Sequence, residues 1–116
     1  NILSTLSADS QSICRQICEM GFPLDRVARV CSVLGDDSQQ LINVCLLIDK
    51  VAQERVYPET EVEHAVLLNG NDEQKVKKHL VEFQKLTVLG FESKMIHDAL
   101  IENECDHSKA LEKLLK

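Results

Sequence analysis

Five cysteines and four histidines are the side chains here best suited to hold a metal or to attack a carbonyl. Cys14, Cys18, Cys31, Cys45 and Cys105 form no CxxC pair, and their spacing matches no usual zinc pattern. They lie in apolar stripes or at a helix start, which suits small core residues in a reducing compartment. A nucleophilic cysteine needs a histidine and an orienting partner beside it. His64, His79, His97 and His107 fall in polar helical stretches without that signature, so each is read as a solvated helix position. No phosphate-binding loop and no nucleophile–base pair can be assembled, so the chain is not expected to be an enzyme, and no cofactor is expected.

The recurring acids are better explained by architecture. Ala65–Asp72 aligns without a gap on Ala99–Asp106 at a shift of 34, and in that register Tyr57 falls on Phe91. A shift of 35 sets Tyr57 on Phe22 and Asp72 on Asp37. An aromatic followed fifteen residues later by an aspartate therefore occurs three times: Phe22/Asp37, Tyr57/Asp72 and Phe91/Asp106. Each aspartate follows a turn-forming stretch and precedes a helical pattern, the place of an N-cap that accepts a first-turn N–H. Asp37 with Gln40 approaches a capping box, Thr60 with Glu63 reads as another after Pro58, and Ser7 caps the first long helix.

Seven helices are expected, over 8–19, 24–34, 38–53, 60–68, 73–88, 93–101 and 107–115. Gly21, Gly35, Gly70 and Gly90 stand at breaks between them, and no stretch alternates as a strand does. The first helix gathers Ile13, Cys14, Ile17 and Cys18 on one stripe, and the last gathers Ala110, Leu111, Leu114 and Leu115. The third is apolar nearly all the way round, from Leu41 to Ala52. The fifth is similar but narrower, with Val76, Leu80, Val81, Phe83, Leu86, Val88 and Leu89. A helix apolar on most of its circumference needs cover on more than one side. With a period of 34 to 35, the expected architecture is all-α: a seven-helix solenoid, stiff over 1–116, built from three overlapping three-helix units at 8–53, 38–88 and 73–116 that share the third and fifth helices.

Composition narrows the function classes. The 116 residues are 28% charged and 44% hydrophobic, with a formal charge of -6. An acidic chain without a basic cluster, with four aromatics and no Trp, is a poor match for nucleic acid. No apolar run approaches the roughly 18 residues of a membrane span, so no direct membrane insertion is expected. The opening Asn1-Ile2-Leu3-Ser4 has neither an initiator Met nor a basic n-region, as a piece of a longer cytoplasmic polypeptide would.

The segment Glu19-Met20-Gly21-Phe22-Pro23 closes the first helix, and Val88-Leu89-Gly90-Phe91-Glu92 closes the fifth. A short helix, a polar turn and a capped helix ending in paired apolar residues follow each time. This pattern resembles the ubiquitin-associated (UBA) domain, a three-helix bundle with a Met-Gly-Phe/Tyr loop. The third copy matches over its full length, from Leu86 to Leu115, and the first keeps the loop intact. The middle copy reads Arg55-Val56-Tyr57 there and has lost the Gly and the Met. Overlapping units of this kind resemble those of a subunit of the ESCRT-I sorting complex.

The resemblance implies binding of mono- and poly-ubiquitin on ubiquitinated membrane cargo. It also implies association with other ESCRT-I subunits through the rest of the parent protein, and a place at the endosome surface during multivesicular-body sorting. In the family the loop and the end of the last helix cover the apolar patch of ubiquitin. Carried over, the contact residues are Met20, Gly21, Phe22, Asn43, Leu46 and Leu47 in the first copy, and Leu89, Gly90, Phe91, Glu112 and Leu115 in the third. Met is long and polarizable enough to mould to an apolar partner. Glu112 keeps an acid suited to the basic rim of that patch; Asn43 does not. In the middle copy Lys78, Val81 and Arg55 fall at these places. A cation facing a basic rim is repulsive, so this unit is expected to be a spacer. The competing expectation is a helical-repeat scaffold that binds peptides and not ubiquitin, in the manner of tetratricopeptide arrays. Its Trp/Gly/Tyr/Ala pattern and equal helix lengths are absent here.

Overall fold

Aspartate caps and glycines at positive φ divide the chain into helices. The computed structural model describes residues 1–116 and contains α1 (Ile2–Thr5), α2 (Ala8–Cys18), α3 (Leu24–Leu34), α4 (Ser38–Ala52), α5 (Glu59–Asn69), α6 (Glu73–Thr87), α7 (Ser93–Glu102) and α8 (His107–Leu115), with no strand. Helices α2 to α8 are the seven expected. The one-turn α1 is additional: Asn1 Oδ1 accepts the N–H of Leu3 at 3.0 Å, and Leu3 is buried. No helix is long and apolar enough to cross a membrane.

The three repeated aspartates are caps. Oδ1 of Asp37, Asp72 and Asp106 accepts the N–H of Gln40, Lys75 and Lys109 at 3.2, 3.2 and 2.9 Å. Ser7 Oγ accepts from Ser10 N at 3.1 Å. The expected Thr60–Glu63 box is not formed. Here α5 starts after Pro58 with no side-chain cap, because the fixed φ of proline already sets the chain for helix entry. The register of 34 extends to side chains at the helix ends. Asn69 Nδ2 donates to the Ala65 carbonyl at 2.7 Å, and Asn103 Nδ2 to the Ala99 carbonyl at 2.8 Å.

The chain forms two compact units, Asn1–Lys50 and Val51–Lys116. In the first, α3 packs on α1 and α2. It buries Val27, Val30 and Cys31 on one stripe, with Cys14 and Ile17 of α2 also buried. Arg26 is buried as well, and its guanidinium pairs with Asp49. That ion pair offsets part of the cost of burying the cation. Leu41, Val44, Cys45 and Ile48 form the buried stripe of α4, whereas Leu46 faces outward. In the second unit α6 packs against α5 and α7, and α8 packs on α7. Phe83, Leu86, Ile96, Ala99, Leu100, Cys105 and Ala110 make a core on which Phe91, Leu111 and Leu114 rest. Leu115, expected in the same stripe as Leu114, is exposed, and so are Val81, Val88 and Leu89 of the expected α6 stripe.

Candidate functional site

The loop after α2 and the loop after α6 have one geometry. Met20 N and Gly21 N donate to the carbonyls of Ile17 and Cys18 at 3.0 and 2.9 Å. Leu89 N and Gly90 N donate to Leu86 and Thr87 at 3.1 and 3.0 Å. Gly21 and Gly90 sit at φ 111° and 94°, where a side chain is strained. This turn directs Met20 and Leu89 outward, 61% and 57% exposed, and brings the following aromatic back to the core.

The same hydrogen bonds recur in the middle copy, one residue earlier than the sequence register. Glu54 N and Arg55 N donate to Val51 and Ala52 at 3.2 and 3.0 Å, and Arg55 takes the left-handed conformation at φ 56°. Arg55 therefore stands in the place of the glycine, not of the methionine. Glu54 occupies the methionine's place and pairs with Lys77 at 2.8 Å. The repulsion expected from Arg55 at the contact position thus loses its basis.

The other site residues divide by exposure. Leu46 and Leu115, 54% and 71% exposed, offer apolar surface in the middle of α4 and at the end of α8, where Asn43 and Glu112 are also exposed. Phe22 and Leu47 are core residues at 7% and 8% exposure, and Phe91 is half-buried against the second unit's core. These three hold the loops and helices in place and offer a partner little surface.

The histidines depart furthest from expectation. His64 is exposed and His107 is half-buried with its Nδ1 on Glu82 at 2.9 Å, but His79 and His97 are buried. Their rings lie near-parallel, 18° apart and 5.0 Å between centroids, and Phe83 stacks on the His97 ring at 4.3 Å. A carboxylate only accepts, so Glu61 Oε2 takes the Nε2–H of His97 at 2.7 Å. His97 Nδ1 then accepts the Nε2–H of His79 at 2.8 Å. His79 Nδ1 faces Cys105 Sγ at 3.9 Å. Burial, with the neighbouring His97 ring adding to it, pulls His79 down to about 4, so it is neutral at pH 7. Burial also lowers His97, against the opposing pull of Glu61, and raises the Cys105 thiol. A thiol held protonated beside so weak a base is a poor nucleophile. The arrangement is a buried polar relay across α5, α6 and α7. The sequence signal was the register: His79 lies in the Val76–Leu80–Phe83 stripe, and His97 sits between Ile96 and Leu100.

No protein-family model matches the chain, and no curated protein matches it.

Proposed function

We propose that the chain is a non-catalytic ubiquitin-binding module built from overlapping UBA-like units, resembling the C-terminal region of ubiquitin-associated protein 1, a subunit of ESCRT-I. The observation that carries the reading is the paired loop. At Met20-Gly21 and again at Leu89-Gly90, a left-handed glycine ends a helix and presents a long apolar side chain to solvent. Leu46 and Leu115 supply exposed apolar surface on the helices that close each copy. The packing of α6 against both α5 and α7 supports a helix shared between the middle and third units.

A loop and one helix face form a patch smaller than the roughly 1,600 Å² of a standard interface, so each site binds weakly. Two such sites in one chain raise apparent affinity for poly-ubiquitin or clustered cargo through effective concentration. That valence suits sorting of ubiquitinated membrane proteins into multivesicular bodies, by a cytoplasmic chain held at the endosome through its ESCRT-I partners.

An NMR titration of the isotope-labelled chain with unlabelled ubiquitin tests the reading. Shifts are expected to cluster at residues 20–21, 43–46, 89–90 and 112–115. Met20→Ala removes the first cluster, Leu89→Ala the second, and the double variant both. If both single variants bind as the parent does, or shifts scatter away from these loops, the assignment fails.

A further inference from the structure

We propose that Glu61, His64 and His97 form a binding site for a single borderline transition-metal ion of the zinc class. Glu61 and His64 are separated by three positions and so share a face of α5. His97 comes from α7, which packs against α5. One donor atom from each of the three lies within 4.8 Å of the other two. Zinc binds imidazole nitrogen and carboxylate oxygen at about 2.0–2.2 Å, so tetrahedral donors stand about 3.4 Å apart. The exposed His64 can close that remaining distance by rotating, and the His97–Glu61 pair opens slightly as its proton leaves the line between them. The His64 and His97 rings meet edge to face, 5.6 Å between centroids, so they need not stack to converge.

The surroundings of His97 suit a ligand. Its Nδ1 is engaged by His79 and Phe83 stacks on its ring, which leaves Nε2 as the one nitrogen directed at Glu61 and His64. A metal-binding histidine typically has its second nitrogen held in this way. Binding at Nε2 moves the His97 proton to Nδ1, where it is donated to His79 Nε2. His79 then carries its proton on Nδ1, toward Cys105. Each ring keeps one proton, so the relay reverses direction without a net change of protons. Two imidazoles and a carboxylate select zinc-class ions over magnesium or calcium, and three protein ligands leave a position open to water.

The test is titration of the chelator-stripped chain with Zn²⁺ alone and with Co²⁺ alone, followed by visible spectroscopy and by metal content after gel filtration. The expected result is one ion per chain and a Co²⁺ spectrum of nitrogen and oxygen ligation. His64→Ala, at an exposed position, should weaken binding at least about tenfold, and His79→Phe by about 10–100-fold. His107→Ala, outside the site, should leave it unchanged. The proposal is overturned if binding does not saturate, if His64→Ala binds as the parent does, or if Co²⁺ gives a thiolate charge-transfer band.

Discussion

His79 Nε2 lies 2.8 Å from His97 Nδ1, and the two buried rings lie near-parallel, edge to edge, between their helices. With Glu61 on the other nitrogen of His97, α5, α6 and α7 are joined by a chain of polar contacts. Its energetic weight lies in what breaking it leaves behind. In the metal-free protein His79→Leu strands the acceptor nitrogen of His97 away from water, at a cost of about 1–3 kcal/mol. His97→Leu strands the donor of His79 and also removes the N–H that Glu61 accepts, so it costs at least as much. Removing both together costs less than the sum, because neither orphan remains. Urea unfolding of the parent, both single variants and the double variant measures this coupling; strict additivity would mean the contact contributes nothing.

Arg55 and Gly90 occupy equivalent turn positions with unequal suitability. Left-handed backbone costs a non-glycine residue roughly 1–2 kcal/mol, while glycine loses about 0.5–1 kcal/mol more chain entropy on folding. Arg55→Gly should therefore stabilise by about 0.5–1 kcal/mol. Gly90→Ala should destabilise by about 0.5–1 kcal/mol, backbone strain less the chain entropy that alanine saves, since an added Cβ there meets no atom within 4 Å. Glu104, at φ 52° where the middle copy has Gly70 in the 34-residue register, should respond to Glu104→Gly as Arg55 does. Thermal unfolding of the three variants checks the signs.

What could be read from the sequence followed from local chemistry. Asp37, Asp72 and Asp106 act locally, each bonding an amide three residues on, and all three proved to be caps. The helix breaks at Gly21, Gly35, Gly70 and Gly90 were legible for the same reason: all four have positive φ. The relay was not, because it depends on which residues of α5, α6 and α7 face one another, and no single-helix pattern encodes Glu61 opposite His97. The middle loop was misread by one residue. Sequence alignment matched Tyr57 with the other aromatics, while the turn itself is set by hydrogen bonds to Val51 and Ala52. Phe22 and Leu47 were placed on the binding face by resemblance, but apolar residues beside a turn gain more from the core.

Cys14 gives the first unit an alkaline limit. It is wholly buried, and burial, with Cys31 and Cys45 adding to it, pushes its thiol from 9.0 up to about 11. The unfolded chain loses this proton near pH 9, whereas the native state keeps it until about pH 11. Native protein then binds more protons than unfolded, so stability falls as pH rises through this window. The contribution is complete below pH 9, and the loss reaches about 2–3 kcal/mol by pH 11. Cys14→Ala should flatten the slope of unfolding free energy against pH between 9 and 11 relative to the parent, whatever its effect on stability at pH 7. An unchanged slope would show that Cys14 does not titrate in this range on unfolding.

Leu115 and Phe91 separate binding from folding in the third copy. Leu115 stands exposed at the end of α8, so Leu115→Ala should change stability by less than about 0.5 kcal/mol. On the proposed function it should weaken ubiquitin binding severalfold. Phe91 rests on Phe83, Leu86, Ile96 and their neighbours, so its truncation removes packing from a filled core. Being half-buried, Phe91→Ala should cost about 2–3 kcal/mol, somewhat below the range for a fully buried aromatic. Under conditions where the variant stays folded, its binding loss should be no greater than that of Leu115→Ala. Paired urea unfolding and ubiquitin titration of both variants decide the matter. A stability loss at Leu115, or a larger binding loss at Phe91, would transfer the contact from the helix end to the aromatic of the loop.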